Sequence, residues 1–183
     1  MSTIMRWRLL LAGLIGLVGT GLILIILLAL GLADPPRIGL LRWQASVPDN
    51  WPSKNLTQDM SLKLAPTDLP TAFTLELSAR NQGQPTSAWG IQLIGQRDVL
   101  TILLNNQGYL SVSAEPQPHW QEFLHLRPDT VNTLYLHVET GYKGTLRINE
   151  EIAWEGPVAA STWGVISYRQ PQLAWEGLAL YHE

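Results

Sequence analysis

The chain contains no cysteine. Disulfides, thiolate metal centres and cysteine nucleophiles are thereby excluded together. Basic charge is also scarce, with 12 Lys and Arg against 15 Asp and Glu in 183 residues. Two of those bases, Arg6 and Arg8, precede a long apolar run, so from residue 34 onward ten basic residues face fifteen acidic ones. A phosphate-binding surface needs clustered Lys and Arg, and no such cluster occurs; this argues against nucleic acid as a partner. The four histidines (His119, His125, His137 and His182) show neither H-x-H nor H-E-x-x-H spacing, so no metal site is expected. There is no G-x-S-x-G elbow for a serine nucleophile. "LNNQGYL" is not a phosphate loop, because no Lys-Ser/Thr and no helix follow it. No cofactor is expected.

Charge is missing altogether from Leu9 to Ala33, "LLLAGLIGLVGTGLILIILLALGLA", 25 residues long. As a helix this run would span roughly 37 Å, more than a hydrocarbon core of about 30 Å. "GLA" before Asp34 resembles a signal-peptidase site, yet a signal-peptide apolar core is about 7–15 residues, far shorter than this run. The length therefore predicts a retained transmembrane helix over 9–33. Arg6 and Arg8 before it make residues 1–8 a short cytoplasmic N-terminus and put residues 34–183 outside. "DPP" then ends the helix. Ala12, Gly16 and Thr20 recur every four residues with Gly13 and Gly19 beside them, a stripe on which a second membrane helix could pack closely. Glycine is also simply common in membrane helices.

After "DPPRIGLLRWQ" no helical period recurs. Apolar and polar residues alternate instead: Phe73, Leu75, Leu77 and Ala79 against Thr74, Glu76, Ser78 and Arg80, then Leu134, Leu136 and Val138 against Tyr135, His137 and Glu139. Period two marks strands with one buried and one solvated face. About ten to twelve such runs, separated by turn-rich pieces such as "NQGQPTS" and "ETGYKG", predict an all-β sandwich of the jelly-roll type. The stretch 45–59, "ASVPDNWPSKNLTQD", reads as the longest loop.

The order "FTLELSAR…AWGIQL…VLTILLNNQGYLSV…NTLYLHVETGYKGTLRINEEIAWEG…WGVISY…LALYH" resembles the concanavalin A-like lectin/glucanase superfamily, including laminin G-like modules. Trp89–Gly90, Gly108–Tyr109, Asn132–Val138, Ile148–Ile152 and Trp163–Gly164 stand where those domains carry their strand and hairpin signatures, over about residues 72–182. The resemblance implies a concanavalin A-like β-sandwich. Hydrolases of that superfamily carry their acids as E-x-D-x-E on one strand, and this chain has no such motif. Calcium sites in laminin G-like modules use aspartates on adjoining loops, for which only the isolated Asp98 and Asp129 offer themselves.

"LRINEEIAWEG" sets Glu150 beside Glu151. Leu146 and Ile148 lead in, Ile152 and Trp154 lead out, and Asn149–Glu150 takes the place of the Asn-Gly of a hairpin turn. Two glutamates at an exposed tip are not the pair that glycoside hydrolysis needs, with carboxyls about 5–9 Å apart across a cleft. Asn55 begins a glycosylation sequon, "NLT". Tryptophan is the unusual residue, seven lying beyond the apolar run. Trp89, Trp154, Trp163 and Trp175 fall in strand patterns and are expected to pack. Trp51 and Trp120 fall in proline-rich loops, "DNWPS" and "QPHWQ". There a ring can stack on a sugar, anchor a protein interface, or be covered by its own loop.

Together these features predict a non-catalytic single-pass membrane protein with an extracytoplasmic lectin-like sandwich. About three residues, Pro35 to Arg37, tether the domain to the helix, which favours an accessory or structural subunit docked on a larger membrane protein complex. The alternative is a membrane-anchored carbohydrate-binding module. The expected partners are the lipid bilayer, other integral membrane subunits and, in the alternative, glycans.

Overall fold

The structure, a computed structural model, describes residues 16–23, 25–26, 39–45, 48, 50–115 and 117–182. The chain divides into two units, Met1–Pro36 and Arg37–Glu183. In the first, residues 16–23 and 25–26 are helical. Thr20 Oγ1 donates back to the Gly16 carbonyl at 2.8 Å, the usual outlet for a hydroxyl inside a helix. Among the described residues no helix is long and apolar enough to cross a membrane. Much of the expected span 9–33, including Ala12 and Gly13 of the small-residue stripe, lies outside them, as do residues 1–8.

The second unit is a sandwich of two antiparallel sheets. Its strands are β1 (Leu40–Ala45), β2 (Ser53–Asn55), β3 (Met60–Leu64), β4 (Phe73–Asn81), β5 (Ala88–Ile94), β6 (Val99–Asn105) and β7 (Tyr109–Ser113). They continue with β8 (Gln121–Glu122), β9 (Val131–Val138), β10 (Lys143–Ile148), β11 (Glu151–Pro157), β12 (Thr162–Tyr168) and β13 (Leu173–His182). One sheet runs β1-β13-β4-β9-β10-β11, the other β2-β3-β12-β5-β6-β7-β8.

Alternation in the sequence becomes a layer in space. Leu75, Leu77, Leu134, Leu136, Leu146 and Ile148 of the first sheet meet Trp89, Ile91, Leu93, Ile102, Trp163 and Val165 of the second in one buried core. Burying a side chain of this size stabilises by about 1.5–3 kcal/mol relative to leaving it in water, which offsets the ordering of the strands. The opposite face of β4 and β9 is polar and cross-linked: Ser78 and Thr133 hydroxyls lie 2.9 Å apart, and Thr74 Oγ1 lies 3.0 Å from His137 Nδ1.

The stretch 45–59 is not all loop. Ser53–Asn55 adds β2 to the edge of the second sheet against Ser61–Lys63. The flanking prolines sit outside the short pairing, where a missing N–H costs nothing. Alternation also breaks at three bulges, one of them skipping Arg42 between Leu41↔Tyr181 and Trp43↔Leu180. Pairing passes from Leu146↔Trp154 to Arg147↔Ile152, skipping Ala153, and from Trp175↔Ala79 to Gly177↔Ser78, skipping Glu176. Each bulge reverses the face on which the following residues lie. So Trp154 packs toward the core while Ile152 stays exposed.

Candidate functional site

The outward face of the seven-stranded sheet is organised in cross-strand rungs, two residues or ~7 Å apart along the strands. The first rung is Met60–Tyr168–Ala88–Asn105, and the second is Leu62–Ile166–Gly90–Leu103–Ser111. The third is Leu64–Gly164–Gln92–Thr101–Ser113, and the fourth is Thr162–Ile94–Val99. Met60, Leu62, Ala88, Leu103 and Ile166 form a second buried apolar cluster on this face, with Trp120 and Tyr168 packed against it. Gly90 has no freedom to be anything else: a Cβ there would sit 1.9 Å from the Ile102 carbonyl oxygen.

Trp120 reaches this face through the chain between β7 and β8. Two outward serines of β7 hold that chain down: Ser111 Oγ accepts from the His119 backbone N–H at 2.9 Å, and Ser113 Oγ accepts from the Glu115 N–H at 2.9 Å. His119 Nε2 and Glu115 Oε2, both exposed, lie 2.9 Å apart across the same segment. The Trp120 ring then lies 6.1 Å from the Tyr168 ring at 59°.

Around these two rings is a depression of about 430 Å³, lined by Thr86, Asn105, Gln107, Tyr109, Trp120, Tyr168 and Arg169. Asn105 Oδ1 accepts from the backbone N–H groups of Gln107 and Tyr109, both at 2.9 Å, which fixes the β6–β7 turn. Its Nδ2 has no protein partner among the described residues. The Arg169 guanidinium carbon stands 5.0 Å above the centre of the Tyr168 ring, a cation–π contact. Arg169 Nε also lies 3.8 Å from Asp59 Oδ2. The backbone of Arg169 and Gln170 is left-handed, φ 54° and 49°, a conformation that costs a non-glycine residue energy and recurs at ligand sites. Rings, amides, hydroxyls and a guanidinium thus converge on one concave surface, and among the described residues no carboxylate lines it.

The two loop tryptophans part company. Trp51 is half-buried, its ring 5.5 Å from both Trp43 and Trp163; Trp43 and Trp163 are themselves 5.9 Å apart. It closes an aromatic trio at the edge of the main core and does not line the depression. Trp89 and Trp163 are buried, and Trp175 stacks edge-on against Trp89 at 5.5 Å. Gly16, Gly19 and Thr20 of the small-residue stripe lie on the described helical turns, and a Cβ on either glycine would meet nothing within 4 Å.

Glu150 and Glu151 stand exposed at the tip of the β10–β11 hairpin. Asn149 and Glu150 both have positive φ, 51° and 76°, which is the two-residue type I′ turn. Glu155 instead lies along β11 near Lys143 Nζ, 3.7 Å away. Asp98 and Asp129 are exposed in separate loops, and Asn55 is exposed at the end of β2. Among the described residues no three His, Asp or Glu side chains gather as a metal-ion set would.

Sequence reasoning named Trp120 but missed Asn105, Tyr109, Tyr168 and Arg169. Their signal was parity, since Asn105, Tyr109 and Tyr168 alternate away from core residues. Parity reports a face, not a neighbour.

No protein-family model matches the chain, and no curated protein matches its sequence. Solved structures do match its fold. A Bacillus subtilis protein of unknown function with a galectin-like fold superposes with TM-score 0.61 at 10% identity, over 78% of this chain and 96% of that one. The carbohydrate-binding module CBM66 from Bacillus subtilis gives 0.53 at 9% identity, over 79% and 92%. The carbohydrate recognition domain of Emp46p in its metal-free form gives 0.51 at 13%, over 67% and 77%. At such identities the likeness is one of fold: a galectin-like jelly-roll sandwich, in keeping with the concanavalin A-like architecture expected from the sequence.

Proposed function

We propose that the sandwich is a non-catalytic carbohydrate-binding module and that the Trp120–Tyr168 depression is its binding site. One observation carries this reading: three aromatic rings, Tyr109, Trp120 and Tyr168, share a shallow concave surface with Asn105, Gln107, Thr86 and Arg169. Aromatic faces stack on the C–H faces of a sugar ring, while amide, hydroxyl and guanidinium groups fix its hydroxyls. The lack of any lining carboxylate supports binding without hydrolysis, which would need an acid and a second carboxyl across the cleft. CBM66 and the Emp46p domain are named for carbohydrate binding, and this chain shares their fold; that adds weight to the reading.

The test is a glycan array probed with the wild-type chain and with Trp120→Ala and Tyr168→Ala. Selective binding lost in both variants, with unchanged far-UV circular dichroism, supports the module. An array with no signal for the wild type sinks it.

In the same proposal the apolar run 9–33 anchors the module on the outer side of a membrane. A second reading, an accessory subunit docking on a membrane complex, draws on Leu40 and Leu41, which are 72% and 54% exposed on edge strand β1. Extraction in mild detergent separates the two. A stoichiometric partner lost in Leu40→Ser/Leu41→Ser favours the subunit, and a partner-free chain removes it.

A further inference from the structure

A second depression opens on the same outward face, also about 430 Å³, and its chemistry is different. Its walls are mainly aliphatic, Leu56, Met60, Leu62, Leu64, Ile94 and Val99, with Lys54, Thr57 and Glu115 also lining it. Its two buried polar residues bond to each other, Gln92 Nε2 donating to Thr101 Oγ1 at 3.1 Å, and both are more than nine-tenths buried. Leu56 and Val99 at its rim are 36% and 37% exposed, so bare hydrocarbon faces water there. Sugar hydroxyls find few partners on such a surface, whereas a hydrocarbon chain gains from every contact.

The two depressions share no lining residue but are neighbours on the sheet. Met60 walls the aliphatic one, and its direct cross-strand partner Tyr168 walls the aromatic one. Neighbouring strands lie about 4.8 Å apart, so a ligand needs about four bonds of an extended chain to pass from one depression toward the other. The aliphatic part extends from there along β3, β5 and β6 toward the third and fourth rungs, ~13–20 Å from the aromatic rung. Side by side, the two depressions thus offer rings and amides in one and mainly hydrocarbon, with Lys54, Thr57 and Glu115 among its lining, in the other. That is the complement of an amphiphile with a sugar head.

We propose that the aliphatic depression receives the hydrocarbon tail of an alkyl-glycoside-type or glycolipid-type ligand whose sugar rests against Trp120 and Tyr168. The inference builds on the carbohydrate-binding reading and adds to it the class of aglycone. A free sugar fills half the site, and a fatty acid fills the other half without its head satisfied.

The experiment uses the full chain in lipid nanodiscs and compares methyl, butyl and hexyl β-glucosides and β-galactosides, all below micelle-forming concentrations. Hexanoate serves as the tail-only probe. Wild type, Trp120→Ala, Val99→Asp and Leu56→Asp nanodiscs of equal lipid content are titrated side by side, so that partition into lipid cancels. Each buried methylene is expected to tighten binding up to about threefold to fourfold, giving at least tenfold from methyl to hexyl in this open depression. Leu56→Asp, beside Met60 at the near end of the aliphatic depression, should bring the hexyl glycoside back to the methyl level and leave the methyl glycoside unchanged. Val99→Asp, ~20 Å from the aromatic rung and beyond a six-carbon tail, should change neither. Trp120→Ala should weaken the whole series. Equal affinity for methyl and hexyl glycosides, still lost in Trp120→Ala, overturns the tail site and leaves the carbohydrate reading standing. Hexanoate binding that depends on Leu56 with no glycoside binding overturns both the carbohydrate reading and the joined ligand. Silence from every probe overturns them together.

Discussion

The side-chain amides of Asn149 and Asn132 meet directly, Asn149 Nδ2 donating to Asn132 Oδ1 at 2.8 Å. Asn149 Nδ2 also reaches the His125 carbonyl at 2.7 Å, and its Oδ1 accepts from the Thr133 N–H at 3.0 Å. Asn132 in turn bonds both the N–H and the carbonyl of Arg127, at 2.9 and 2.8 Å. One hairpin tip is thereby fastened to β9 and to the chain entering it. The residue that does so tolerates a left-handed backbone and carries both a donor and an acceptor.

Replacing Asn149 should therefore show two separable costs. Asn149→Gly keeps the turn conformation but loses the side-chain bonds, at about 1–2 kcal/mol, whereas Asn149→Ala adds the left-handed penalty and should cost about 2–4 kcal/mol. Urea denaturation of the pair measures the difference. Equal losses would mean the backbone conformation contributes nothing.

Glu150 makes the opposite case. Its φ of 76° is the position where Gly is preferred in a type I′ turn, and its side chain is exposed. Glu150→Gly is expected to raise stability by about 0.5–1 kcal/mol, the net of relieved strain and added chain entropy. A loss of glycan binding in this variant would contradict the assignment of the glutamates to the turn alone.

Two glycines divide by what surrounds them. Gly90→Ala puts a methyl 1.9 Å from the Ile102 carbonyl oxygen, while a Cβ at Gly177 meets nothing within 4 Å. The first should cost about 3 kcal/mol or more as β5 and β6 are forced apart. The second should be neutral or gain up to about 1 kcal/mol. Thermal melts of the two variants provide the comparison.

Trp51 and Trp120 looked alike as loop residues and should behave differently. Trp51→Ala removes a ring from the trio with Trp43 and Trp163 and should lower stability by about 2–4 kcal/mol without a direct effect on ligand. Trp120→Ala should abolish glycan binding at a smaller stability cost. The reverse pattern, binding lost in a well-folded Trp51→Ala, would move the site to the other end of the sandwich.

Arg169→Gly separates strain from contact. Glycine relaxes the left-handed backbone but deletes the guanidinium over Tyr168. Stability should stay within about 1 kcal/mol of wild type, because the ion pair with Asp59 is exposed. Glycan affinity should fall at least fivefold, read by calorimetry. Unchanged affinity would remove Arg169 from the site.

Composition and alternation by themselves determined a cysteine-free all-β sandwich, the faces of most strands, and the place of Glu150 and Glu151 at a hairpin tip. These are local properties: period two is written in each strand, and turn chemistry in two or three residues. The edge strand β2, the bulges at Ala153 and Glu176, and the burial of Trp51 were decided only when strands chose partners. So was the aromatic depression itself. Trp120, Tyr168 and Asn105 belong to distant segments and meet because β12 inserts between β3 and β5 while the chain after β7 folds back on two serines. Such pairings are selected by long-range packing of the whole core, and no single strand's pattern records them.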